Sequence, residues 1–168
     1  MIEYVTGDVT KPIIGKQKVI VHVCNDIGAW GAGVSGAIGR RWPEAEKSYR
    51  RWASSKDNPN VGPKFKLGRI QLVRMDRSDE NITVCNLIGQ HGLRSKKNPA
   101  PVRYDAIREG LQELFSRGQV DNEDTVVHMP RIGCGLAGGS WDMIEPIIRE
   151  VLSDNEVHVV VYDLEQRR

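Results

Sequence analysis

A chain of 168 residues, 39% hydrophobic and 27% charged, is sized for one domain (1–168) with its own core, and the composition excludes disordered and membrane classes. A net charge of +2 gives no global electrostatic case for nucleic acid, which is not expected as a partner. No apolar run reaches the ~20 residues that cross a bilayer, and the opening "MIEYVTGDVT" lacks a basic leader region, so a cytoplasmic monomer without a membrane partner is expected.

In chain order, "IEYVTGDV" (2–9) reads as a weak first strand, and "KVIVHVCN" carries a strong one over Val19–Cys24. The glycine-rich segment that follows runs into a helix, "GVSGAIGRRW", that ends at Pro43, where proline opens the first turn of a second helix. The turn-rich stretch 54–68 is expected to be a surface loop, and strands follow at 69–73 and 82–88. In "RYDAIREGLQELFSRG", Ile107, Leu111, Leu114 and Phe115 fall on one helical face, with Gly118 as a stop. A strand at 125–132 leads to a second glycine loop. Ser140 is then placed to cap "WDMIEPIIREVLS", where Pro146 implies a kink or a late start, and a last strand covers 157–164. Strands alternating with helices predict a three-layer α/β/α sandwich around a mixed, mostly parallel six-stranded sheet, because continuously apolar strands are interior strands covered on both faces.

Cys24, Cys85 and Cys134 are dispersed and read as buried thiols. With His22, His91, His128 and His158 they form no C-x-x-C or H-x-x-x-H spacing, so no metal and no cofactor are expected. Arginines alternate with tryptophans in "GRRW" and "YRRW", but Glu44 and Glu46 interrupt the run and a solvated helical face accounts for it.

The chemistry concentrates in two glycine loops, each between a strand and a helix: "CNDIGAWGAGVSGAI" and "MPRIGCGLAGGSW". In open α/β sheets ligands settle beyond the carboxyl ends of the strands, and exposed loop amides beside a helix N-terminus favour phosphate without a lysine. Tight turns and helix–sheet packing are the alternative uses of those glycines. Asn25 follows directly on a buried strand. Its amide suits a sugar diol, and its alternative use is as an asparagine turn.

"GDVT", "CNDIGAWGAGVSGAI" and "MPRIGCGLAGGSW" together resemble the macrodomain family, the ADP-ribose-binding modules, over Tyr4 to Leu164. The nearest subtypes are the module of a chromatin remodeller, through "NDIGAWG" and "QH", and the terminal ADP-ribose glycohydrolases, through "MPRIGCGL". The resemblance implies ADP-ribose, free or protein-linked, as the partner. It places Asp8 and the Val9 backbone at the adenine edge. Gly31, Ala32, Gly33, Val34, Ser35 and Gly36 would hold one phosphate, and Gly133, Cys134, Gly135, Leu136, Ala137 and Gly138 the other. Asn25 would meet the distal ribose, and Tyr162, Asp163 or Leu164 would flank adenine.

The resemblance also implies a hydrolase that removes ADP-ribose from acidic side chains, with a non-catalytic reader as the alternative. One hydrolytic group carries an aspartate where this chain has Ser35. The glycohydrolases carry a lysine where this chain has Gln90 or His91, and an aspartate where it has Ala137. Neither mechanism transfers. Catalysis is therefore expected to use the ligand's own phosphate as base, with Asn25, Ser35 and Gln90 holding a water near the distal ribose and His91 or Asp26 supplying acid–base help, histidine being the residue type that titrates near neutrality.

Overall fold

The computed structural model describes every residue except 57, 59, 61, 76–79 and 165–168. The strands are β1 (Ile2–Thr6), β2 (Gln17–Asn25), β3 (Ile70–Arg74), β4 (Ile82–Gln90), β5 (Thr125–Pro130) and β6 (His158–Asp163). The helices are α1 (Val34–Arg41), α2 (Pro43–Ser54), α3 (Tyr104–Ser116) and α4 (Trp141–Val151), with a short 3₁₀ turn at Ser153–Asn155.

One sheet holds the strands in the order β1-β6-β5-β2-β4-β3, with every neighbouring pair parallel except β3 against β4. Alternation along each strand divides the apolar side chains between two cores. On one face Val19, Val21, Leu87, Val127 and Val159 pack with Ile107, Leu111, Ile144 and Ile148 of α3 and α4. On the other, Ile20, Val84 and Val160 meet Ile38 of α1, Ala45 of α2 and Trp42 between the two helices, and Cys24 and Ile88 meet Tyr49 and Trp52. The sandwich expected from the sequence is the one that forms.

The local signals act as expected at several points. Pro43 occupies the first turn of α2. Gly118 adopts φ +68° just after α3. Helix α4 begins at Trp141 and includes Pro146, so the late start is not used. Other points differ. The first strand stops at Thr6, leaving Asp8 and Val9 in the turn beyond it. Ser140 stands at the N-cap of α4, but its hydroxyl makes no capping bond. Cys134 is only partly buried, unlike Cys24 and Cys85. The loop expected at 54–68 is described only outside positions 57, 59 and 61.

Candidate functional site

Strands β2 and β5 pair only from Gln17–Thr125 to Ile20–His128, although β2 continues to Asn25 and β5 to Pro130. Beyond that point the two strands no longer pair. The chain leaves β2 toward β3 and β4 on one side, and leaves β5 toward β6 on the other. This is the topological switch point at which α/β sheets open a ligand crevice. Both glycine loops spring from it.

In the first loop, helix α1 starts after Gly33 (φ 63°), with no side-chain cap and no acid in its first turn. The first intrahelical bond runs from Ala37 N to Gly33 O, so the N–H groups of Val34, Ser35 and Gly36 have no helical acceptor. In the second loop, Cys134 N bonds Arg131 O, Gly138 N bonds Gly135 O and Gly139 N bonds Gly133 O. Among the described residues, no bond uses the amides of Gly135, Leu136 and Ala137. The glycines divide by purpose. Gly133 and Gly138 have φ near +74°, and a Cβ on them would lie 2.9–3.0 Å from Ile144, Pro99 or Ala100. Those two are required by the turn. A Cβ on Gly33 or Gly135 would meet nothing within 4 Å, so those positions face open space.

A β-bulge between Cys24 and Asn25 interrupts the β2–β4 register and redirects Asn25. Its Oδ1 accepts from the amides of Ile27 and Ala29, both at 3.1 Å, and from the Tyr49 hydroxyl at 2.9 Å. Its Nδ2 donates to Ala29 O. The geometry is that of the asparagine turn, and the buried carboxamide folds the first loop around itself.

Beside it, Asp26 and His91 come together from the ends of neighbouring strands. Asp26 Oδ2 lies 2.7 Å from His91 Nδ1, and Oδ1 accepts the Gly92 amide at 2.8 Å. The carboxylate therefore holds the proton on Nδ1 and leaves Nε2 with its lone pair. The loop carrying His91 is fixed in turn: His91 N bonds Pro101 O, Asn98 Nδ2 bonds His91 O, and Gln90 Nε2 bonds Gly92 O. The Gln90 side chain thus shapes this loop.

In the turn beyond β1, Asp8 Oδ1 accepts from the amide and hydroxyl of Thr10, which hold its carboxyl below the usual range. Asp8 Oδ2 and the Val9 amide have no bond among the described residues, so an acceptor and a donor stand side by side. Tyr162 is buried and places its hydroxyl 2.7 Å from His128 Nδ1, while Asp163 pairs with Arg131 and Leu164 is exposed.

Sequence reasoning missed three residues that support the site: Tyr49, His22 and Asn86. His22 Nδ1 lies 3.0 Å from Ser35 Oγ. A histidine within the apolar run "VIVHVCN" was the available signal. Elsewhere, a surface cavity of about 450 Å³ lies at the opposite edge of the sheet, lined by Lys18, Arg74, Thr83 and Asp124. It receives neither glycine loop and sits at the amino ends of β2 and β5, so the crevice is the better candidate. Among the described residues no cluster of histidine, cysteine or acids could hold a metal, and no helix is long and apolar enough to cross a membrane.

The Macro domain family model matches residues 21–148, and the chain belongs to that family. A macrodomain protein from Streptomyces coelicolor is 40% identical with a TM-score of 0.80, over 97% of this chain and 99% of that one. The zebrafish chromodomain-helicase-DNA-binding protein 1-like is 31% identical over 96% of this chain, which spans only 15% of that protein. The ADP-ribose 1''-phosphate phosphatase of Debaryomyces hansenii is 26% identical, covering 96% of this chain and 98% of its own length.

Proposed function

We propose that this macrodomain binds ADP-ribose in the β2–β5 crevice and hydrolyses it from proteins modified on acidic side chains. The observation that carries the reading is the pair of unpaired amide clusters, Val34–Gly36 and 135–137, on loops leaving the two strands that part. A diphosphate is the ligand two such cradles suit, since backbone dipoles and the start of α1 neutralise its charge without lysine. Asp8 Oδ2 and the Val9 amide match the donor–acceptor edge of adenine. The relative named for phosphate removal from an ADP-ribose derivative supports the same ligand class.

For turnover, Nε2 of His91 accepts a proton from a water whose oxygen bonds to the anomeric carbon of the distal ribose. The bond from that carbon to the protein carboxylate breaks, and the carboxylate leaves with the bonding pair. Asp26 stabilises the imidazolium that forms. Asn25 and Gln90 act by shaping the loops on either side, and Ser35 stands at the start of α1 beside the phosphate cradle. The domain acts as a monomer in the cytoplasm, where thiols such as Cys24 and Cys85 stay reduced.

Melting the protein with ADP-ribose, AMP and ATP in parallel tests binding. A ligand at a hundredfold excess over Kd stabilises by ~2.7 kcal/mol, and ADP-ribose is expected to give the largest shift. Release of ADP-ribose from glutamate-modified protein then tests catalysis. The second reading, a non-catalytic reader, is favoured by the absence of any carboxylate from segments 31–36 and 133–138. Tight binding without release would select it.

A further inference from the structure

Below the first glycine loop runs a chain of side chains whose hydrogen-bond directions are fixed one by one. Gln71 Nε2 donates to Ser48 O at 3.0 Å, which turns Gln71 Oε1 toward Asn86. Asn86 Nδ2 donates to that Oε1 at 3.1 Å and to Ala45 O at 3.2 Å, so both its hydrogens are committed. Asn86 Oδ1 is left to face His22 Nε2 at 2.5 Å, and a carbonyl oxygen only accepts. His22 must therefore carry its proton on Nε2. The ring is 1% exposed, and burial pushes its pKa down to about 4, so it is neutral. Trp30 lies edge-on to it with centroids 5.2 Å apart, and Cys24 Sγ sits 3.7 Å from Nε2. Nδ1 then holds only a lone pair, and Ser35 Oγ, 3.0 Å away, can do nothing but donate to it.

We propose that His22 and Asn86 are positioning residues that turn the single hydroxyl proton of Ser35 inward, making Ser35 Oγ an obligate hydrogen-bond acceptor toward the bound ligand. The arrangement separates two functions at one residue. The Ser35 amide, in the uncapped first turn of α1, donates to an anion, while the side chain cannot. A serine free to rotate there would donate to phosphate and bind any anion indifferently. Held in this way, it requires an O–H donor next to the phosphate. That donor is a hydroxyl of the ligand's sugar or a bound water, and this part of the inference rests on the ADP-ribose reading above.

The relay is tested in the free protein, without ligand. Ring-nitrogen NMR of the 15N-labelled chain at neutral pH is expected to give His22 a protonated Nε2 and a bare Nδ1. An imidazolium, or the opposite tautomer, overturns the proposal. The ligand contact is tested by ADP-ribose calorimetry and by release from glutamate-modified protein, using Ser35→Ala, His22→Gln and the double variant. If a sugar hydroxyl is the donor, Ser35→Ala weakens binding by roughly three- to tenfold. If a water is the donor, kcat falls by a similar factor with KM unchanged. In both cases His22→Gln adds no further loss in the Ser35→Ala background, because it acts through Ser35. Losses that multiply, or a Ser35→Ala variant equal to wild type in both measurements, overturn the proposal. A wild-type protein that binds no ADP-ribose removes the functional reading and the ligand contact together, and the tautomer then decides separately whether the relay exists. That measurement on the unmodified chain also stands if His22→Gln does not fold.

Discussion

His91 Nδ1 lies 2.7 Å from Asp26 Oδ2, joining the ends of two neighbouring strands. The pairing leaves Nε2 as the free ring nitrogen, and the His91 side chain remains 61% exposed just beyond the carboxyl end of β4. His91→Ala is expected to reduce ADP-ribose release by at least ~10²-fold, the usual worth of a positioned acid–base group, while leaving ADP-ribose affinity within about twofold. Asp26→Asn should follow with a smaller loss. Parallel loss of binding and turnover in His91→Ala would assign His91 to the ligand's grip instead.

Gly135 separates the phosphate-cradle reading from the tight-turn reading. A Cβ built there meets no atom within 4 Å, and its backbone does not lie in the left-handed region. Gly135→Val should therefore leave the melting temperature of the free protein nearly unchanged. It should also cut ADP-ribose affinity at least tenfold, because the added methyls occupy the space beside the free amides. If Gly135→Val binds as wild type does, the second loop is not a phosphate site.

Asn25→Ala should have a different signature. The variant loses the side-chain acceptor of the Ile27 and Ala29 amides and leaves those two donors without it, while the Tyr49 hydroxyl keeps its 2.7 Å bond to the Asn25 backbone carbonyl. A cost of about 2–3 kcal/mol in folding stability is expected by urea unfolding, together with weaker ADP-ribose binding. Weaker binding with unchanged stability would instead mark Asn25 as a direct ligand contact whose amide turns outward.

Much of this architecture is legible in the residues themselves. Continuous apolar runs reveal interior strands because a strand covered on both faces cannot alternate, and "PEAEKSYRRW" announces its helix start through proline. The antiparallel placement of β3 and the parting of β2 from β5 are not legible, since they depend on pairing between segments far apart in sequence. At the site, the two loops are visible as glycine punctuation. Which glycine faces solvent and which is required by φ depends on neighbours such as Ile144 and Pro99 that only folding brings near. His22 was visible only as a polar residue in an apolar run. Its meaning came from Asn86, sixty-four residues later.

His22 and His128 also govern how stability responds to acid. Both are buried, and desolvation pushes the pKa of each down to about 4, below the unfolded value near 6.5. Between those limits the unfolded chain binds protons that the folded chain refuses, so stability falls as pH falls from about 6.5 toward 4 and is fully retained above that window. At pH 5 each histidine should cost about 2 kcal/mol relative to pH 7. Asp8, Glu113 and Asp163, whose carboxyls are held below their ordinary range by hydrogen-bonded partners, add loss of the same sign at lower pH. Urea unfolding at pH 7, 6 and 5 measures this directly. His128 receives the Tyr162 hydroxyl on Nδ1 and directs Nε2 to Ile14 O, so a histidine with both nitrogens protonated would lose the tyrosine's donation. Tyr162→Phe should destabilise the protein at pH 7 by about 1–3 kcal/mol, because Nδ1 is left buried without a donor. An unfolding midpoint unchanged between pH 7 and pH 5 would mean that these imidazoles take up protons as readily in the fold as in the unfolded chain, contrary to their burial.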